Sequence, residues 1–287
     1  METPAFLKPI QSYPGEIVQF IERIPGVDVT GDRETVLERL EPYHKAEVEA
    51  LGWRWKDLRR AEQVHGTKVA LVGDIGSNYP VEGVDGLICS GVSDCVLAIY
   101  VADCAAVWLY DKENCHRSLI HSGKEGTAGN IVSNTIKSMK KCLGVEPSNL
   151  IAVISPCIRP PHYEEDIPTA IKAQLIEAGV PEEQIHDSGL DTADTKRFYS
   201  YRMEKGKRAA CWPFSARITL RGRTRLFFNS GKAKFSFLIQ RITILPWCAF
   251  LPCSPYTLAL DGTGPQSRRG HGRIPLAAGP LRLFRAR

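Results

Sequence analysis

The chain has 287 residues, 43% hydrophobic and 24% charged, which suits one large domain or two small ones and excludes a disordered chain, a collagen and a coiled coil. Nine cysteines, an odd number, are too few for a disulfide scaffold, so free thiols in a reducing compartment are expected. The net charge of +5 divides into −6 over the first 220 residues and +11 over residues 221–287, so the basic balance belongs to the tail and does not point to a nucleic-acid partner.

The opening Met-Glu-Thr-Pro-Ala-Phe-Leu-Lys-Pro lacks a basic segment followed by an apolar run, and a cytoplasmic location is expected. Residues 33–52 place apolar side chains at helical spacing, with a break expected near Pro42. Thr67–Val72 alternates as a strand does. The short apolar runs Val96–Val101, Ala105–Tyr110 and Arg117–His121 predict three more strands. Over 126–143, Ala128, Ile131, Thr135, Met139 and Leu143 share one helical face, with Gly144 as the residue that ends it. Leu150–Ile154 reads as a strand, and Ile167–Ala178 as a helix stopped by Gly179 and Pro181. Strands and helices mix without regular alternation, which predicts an α+β fold with mixed β-sheets flanked by helices.

Three polar residues stand at the edges of these strands. His65 lies in Gln63-Val64-His65-Gly66, Cys104 follows Ala102-Asp103, and His121 closes an apolar run before Ser122-Gly123. Strand ends can aim side chains at one point from a rigid backbone. Two imidazoles and a thiolate suit tetrahedral Zn²⁺, and three protein ligands leave a fourth position for water or substrate. The same three residues also suit a cysteine nucleophile with a histidine base, or a buried thiol and two structural histidines.

Six motifs occur in order: Gln63-Val64-His65-Gly66; Val84-Asp85-Gly86-Leu87-Ile88; Ala102-Asp103-Cys104; His121-Ser122-Gly123-Lys124-Glu125-Gly126-Thr127; Ser155-Pro156-Cys157-Ile158 with Tyr163-Glu164; and Phe198-Tyr199-Ser200-Tyr201-Arg202. Together they resemble the laccase-domain family, also called the YfiH, polyphenol oxidase or peptidoglycan editing factor family. The resemblance implies one zinc ion bound by His65, Cys104 and His121, which would also carry the catalysis. It implies phosphorolysis of purine nucleosides (adenosine, inosine, methylthioadenosine) with phosphate as co-substrate, together with adenosine deamination. The peptidoglycan name implies a role in editing cell-wall precursors.

The family's His-Ala-Gly-Trp-Arg-Gly stretch is here His121-Ser122-Gly123-Lys124-Glu125-Gly126, so two of its side chains differ. Near the N-terminus, Glu22-Arg23-Ile24-Pro25-Gly26 keeps one Arg and one Gly of a family turn, which makes Arg23 a candidate phosphate or substrate ligand. Arg202 is a second candidate for the phosphate, Asp103 a candidate acid, base or partner to the metal ligands, and His162 a candidate for the pocket wall. A copper cluster is not expected. Seven histidines in all, with no His-Cys-His triplet, cannot furnish a blue-copper site together with a trinuclear site. The alternatives are a hydrolase using Cys104 with His65 or His121, and a non-enzymatic zinc-stabilised binding module.

The body is expected to be one domain over residues 1–220. Residues 221–287 lose all glutamate, gain six prolines and lose periodicity, so they are expected to be a disordered, non-homologous basic extension. A second reading has Gly206–Leu220 losing the family's closing strand and weakening the core. Residues 242–260 run uncharged, but Pro246, Pro252 and Pro255 interrupt them, and neither a membrane span nor a membrane partner is expected.

Overall fold

A computed structural model of the chain describes residues 3–73, 80–204 and the backbone of 212–217. A short helix α1 (Lys8–Gln11) precedes strand β1 (Glu16–Ile21) and the long helix α2 (Arg33–Ala50). Seven strands follow: β2 (Leu58–Ala61), β3 (Val69–Val72), β4 (Pro80–Val81), β5 (Gly86–Cys89), β6 (Val96–Ala98), β7 (Ala105–Asp111) and β8 (Arg117–Ser122). After them come α3 (Lys124–Ala128), α4 (Ile131–Leu143), β9 (Leu150–Ile154), α5 (Ile167–Glu177), β10 (Ile185–Asp187) and β11 (Trp212–Arg217).

These strands form two mixed sheets, of five strands in the order β1-β11-β6-β2-β4 and of six in the order β10-β9-β7-β8-β5-β3. The α+β architecture read from the sequence is the observed one. Strand periodicity decides the layering. In β7, Ala106, Trp108 and Tyr110 join a core shared with Phe20 and Leu97 of the other sheet, while Val107 and Leu109 pack with Ile136 and Met139 of α4 and Ile171 and Leu175 of α5. On the far face of the five-stranded sheet, Leu37 and Val48 of α2 cover Leu58, Val96 and Ala98. The order of layers is therefore helix, sheet, sheet, helices.

The structure corrects three expectations. Helix α2 runs through Pro42 without interruption; a proline costs a helix one hydrogen bond, and burial of Val36, Leu37, Leu40 and Val48 holds the turns on either side. The single helix expected over 126–143 is two, because Asn130 adopts left-handed backbone (φ 61°) between α3 and α4 and leaves Ala128 exposed. Cys89 and Cys95 bring their sulfurs together inside the intersheet core, and Cys104, Cys115, Cys142 and Cys157 are free. Finally, the segment read as a lost closing strand contains β11, which pairs antiparallel with β1 on one side and with β6 on the other. Residues 221–287, including the uncharged run 242–260, lie outside the described residues. Among the described residues, no helix is long and apolar enough to cross a membrane.

Candidate metal centre and its cavity

One end of the six-stranded sheet gathers the reactive side chains. Antiparallel pairing sets Ala105 opposite Ser122 and Ala106 opposite His121, so Cys104, one residue before β7, stands beside the end of β8. Gly86 pairs with Ile120, which brings Asp85 to the same edge, and the His121 N–H donates to the Asp85 carbonyl at 2.7 Å. Because β3 runs parallel to β5, the loop that enters β3 from the same end delivers His65. The candidate ligand atoms of His65, Cys104 and His121 all lie within 4.8 Å of one another. The two imidazole rings stand nearly perpendicular, with centroids 4.8 Å apart.

Asp85 organises this corner. Its side chain is fully buried. Oδ2 accepts the N–H groups of Val64 at 3.2 Å and Gly66 at 2.7 Å, while Oδ1 accepts that of His65 at 2.9 Å. Oδ1 also lies 2.8 Å from Nδ1 of His121. A carboxylate on Nδ1 fixes the ring and leaves Nε2 as the nitrogen available for a ligand. The loop that Asp85 holds is strained, with Gln63 and His65 both at left-handed φ (66° and 61°). Gln63 secures its other side by accepting the Tyr100 N–H at 2.8 Å and donating to the Tyr100 carbonyl. The sequence reading quoted Asp85 within a motif but gave it no role; an acid directly before the apolar run Gly86–Cys89 was the available signal.

The electrostatics follow from this packing. Burial alone would raise the Cys104 thiol, but hydrogen bonds and charge from His121 and His65 outweigh it and bring it down to about 6. Burial would lower His121, yet its bonds to Asp85 and Cys104 raise it to about 9. Burial likewise opposes ionisation of Asp85, and its bonds to His121 and Gly66 hold it below the usual carboxylate value. Gly123 completes the corner through lack of a side chain, since a Cβ there would sit 2.6 Å from the Cys104 sulfur. A close set of two imidazoles and an acidified thiol, with one ring braced by a carboxylate, fits a zinc ion.

These residues floor a cavity of about 530 Å³. Asp103 and Arg202 line it, but their roles are partly architectural. The Asp103 carboxylate accepts Thr192 Oγ1 at 3.0 Å and the Arg202 N–H at 2.8 Å. The Arg202 guanidinium pairs with Glu164 at 2.8 Å and lies 4.6 Å from the Tyr163 ring centre. Lys124 and Glu125, the two departures from the family stretch, also line the cavity. Two expected residues do not. Arg23 pairs with Glu204 at 2.6 Å, donates to the Phe198 carbonyl at 3.1 Å and stacks on Tyr199, and it is absent from the lining. His162 turns to Asp191 at 2.8 Å and is likewise outside the lining. Arg33, which the sequence reading passed over as part of a charged helix, does line the cavity.

Known proteins resemble the chain in sequence and in fold. A family model described as multi-copper polyphenol oxidoreductase laccase matches residues 26–166 and 162–212. A purine nucleoside phosphorylase of Bacteroides thetaiotaomicron is 34% identical over 109 residues, which is 36% of this chain and 40% of that protein. Purine nucleoside phosphorylase YlmD of Geobacillus stearothermophilus is 27% identical over 183 residues, covering 50% of this chain and 66% of that one. The chain thus spans between two fifths and two thirds of these relatives' lengths. In fold, it is similar to the crystal structure of Geobacillus stearothermophilus YlmD with a TM-score of 0.60 at 24% identity, over 71% of this chain and 92% of that one. Bacillus licheniformis YfiH gives 0.60 at 21% identity, over 71% and 93%.

Proposed function

The chain belongs to the multi-copper polyphenol oxidoreductase laccase family, and from that premise we propose that it is a zinc-dependent purine nucleoside phosphorylase with adenosine deaminase activity, acting in the cytoplasm. The observation that carries this reading is the convergence of His65, Cys104 and His121 within 4.8 Å at the floor of the cavity. Relatives named purine nucleoside phosphorylase supply the substrate class. A cavity of about 530 Å³ is within the range that holds small organic ligands.

In phosphorolysis a phosphate oxygen forms a bond to C1′ of the ribose as the bond from C1′ to the purine nitrogen breaks. The purine leaves with the electron pair and takes up the phosphate's proton. In deamination, water adds its oxygen at C6 of adenosine and the amino group departs as ammonia. When bound, zinc would supply positive charge and an open coordination position. The protein's part is positional. Asp85 holds His121 and the His65 loop still, so the ligand set is formed before substrate arrives. Tyr163 and Tyr201 offer aromatic walls beside the cavity mouth, suited to a purine ring. Arg202 is held over Tyr163 by Glu164, where it braces that wall.

The acidified Cys104 beside two imidazoles also supports a second reading, a cysteine hydrolase. Metal analysis of purified protein with an adenosine- and inosine-plus-phosphate assay separates the two. One zinc per chain with phosphate-dependent release of free base is the expected result. A metal-free protein that hydrolyses an ester, with activity lost on alkylation of Cys104, would replace it.

A further inference from the structure

Three cationic side chains of the described residues line the cavity: Lys124, Arg202 and Arg33. Two are already matched by carboxylates, Lys124 by Glu165 at 3.0 Å and Arg202 by Glu164 at 2.8 Å. Arg33, on the first turn of α2, has no carboxylate partner among the described residues. One of its nitrogens donates to the Glu62 carbonyl at 3.1 Å, which fixes the side chain without an ion pair. The nearby Glu62 carboxylate is engaged elsewhere, accepting the Gly83 N–H at 2.6 Å.

A second cation aggravates the imbalance. Arg60, in β2, lies with its guanidinium 5.5 Å from the centre of the Tyr100 ring, and Tyr100, which is hydrogen-bonded to Gln63, lines the cavity together with Arg33 and His65. Burial first, and the charge of Arg60 second, hold Arg33 below its ordinary value, against smaller opposing contributions from Glu62 and Asp85. An arginine stays protonated under such pressure. Two half-buried guanidiniums, neither in an ion pair with a described carboxylate, form an arrangement that an anion relieves, through charge and through the planar donor fork that matches a tetrahedral oxyanion.

We propose that Arg33 is the binding residue for the anionic co-substrate, inorganic phosphate, and that it holds this anion on the α2 side of the cavity next to His65. The assignment rests on the phosphorylase reading for the identity of the anion, and on the unpaired cavity-facing guanidinium for the residue. It takes the phosphate away from Arg23, which faces elsewhere, and from Arg202, whose charge is already matched. It also gives the cavity a direction, with phosphate toward α2 and the purine toward Tyr163.

The test uses the zinc-loaded full chain and its Arg33→Gln and Arg33→Lys variants, with thermal unfolding to confirm that each is folded. With saturating inosine, Arg33→Gln is expected to raise the KM for phosphate by at least about tenfold, as loss of a charge-assisted hydrogen bond requires. The KM for inosine should move by less than about twofold, and Arg33→Lys should recover part of the phosphate affinity. An unchanged KM for phosphate in Arg33→Gln overturns the assignment while leaving the phosphorylase reading standing. If the wild-type chain releases no base, that reading fails by itself. Calorimetric titration with inorganic phosphate then decides: binding lost in Arg33→Gln sustains Arg33 as the anion-binding residue, and equal or absent binding in both proteins refutes it. Should Arg33→Gln not fold, an Arg33→Lys variant with wild-type phosphate affinity at low and high salt, and no dependence on the fork, counts against the assignment.

Discussion

At the floor of the cavity, Asp85 and His121 are buried, Cys104 is half-buried and His65 is exposed, and Asp85 ties His121 to the N–H groups of the loop before β3. Around Lys124 and Arg202 the cavity is built differently, from ion pairs whose side chains are about half exposed. The floor is set by sheet register, and its Asp85–His121 pair is out of water, so those charges act strongly on one another. The rim sits in solvent, where screening weakens each pair and long side chains move freely. Residues of the first kind should govern whether chemistry occurs, and residues of the second kind should govern which substrate is held, and how well.

Substitutions break or sharpen that contrast. The largest effect is expected for Cys104→Ala, which removes a proposed metal ligand. Zinc content and phosphate-dependent base release should both fall by more than about a hundredfold, and undiminished turnover would move the chemistry off the floor. Asp85→Asn should follow, with zinc affinity reduced by about 10–100-fold, because the brace on His121 and the acceptor for three loop N–H groups weaken together. Competition with a chromophoric chelator reads this directly. Gly123→Ala is expected to cost zinc affinity about tenfold by pushing a methyl toward the Cys104 sulfur; a variant that binds zinc normally would show that the corner yields more than its packing implies. In zinc-free protein, alkylation of Cys104 should rise with a midpoint near pH 6, instead of the ordinary thiol value of about 8.5, and added zinc should suppress it. The smallest effect belongs to the rim. Lys124→Ala should change the nucleoside KM by no more than about threefold, leave zinc content intact and matter less as salt rises.

Much of this was legible in the sequence where a pattern had a single physical meaning. The apolar runs of β7, β8 and β9 and the periodic faces of α2, α4 and α5 lie within a few residues of their expected bounds, because continuous burial leaves no alternative to such runs. His65, Cys104 and His121 attracted notice as polar groups at strand ends. Asp85 did not, since its importance comes from hydrogen bonds to a loop 20 residues earlier, a contact that no local pattern encodes. Arg23 and Arg33 show the same limit in reverse. Both read as arginines near a structural boundary, and only the folded chain sends one to Glu204 and the other to the cavity. β11 was missed because Pro213 and scattered polar residues disguise a strand whose role is set by its two neighbours.

The position of β11 bears on how the chain is made. It joins β1, near the start of the chain, to β6, and it is the last strand described. During synthesis, β1 and β6 emerge from the ribosome long before their shared partner exists. Until then each carries an open row of backbone donors and acceptors, the surface through which nascent chains stick to one another. The six-stranded sheet needs nothing beyond β10 and can assemble first, metal corner included. The five-stranded sheet must wait for a contact between residues near opposite ends of the described chain, which makes its closure slow. Ending translation just before Trp212 would therefore be expected to yield aggregates from a chain that already possesses His65, Cys104 and His121.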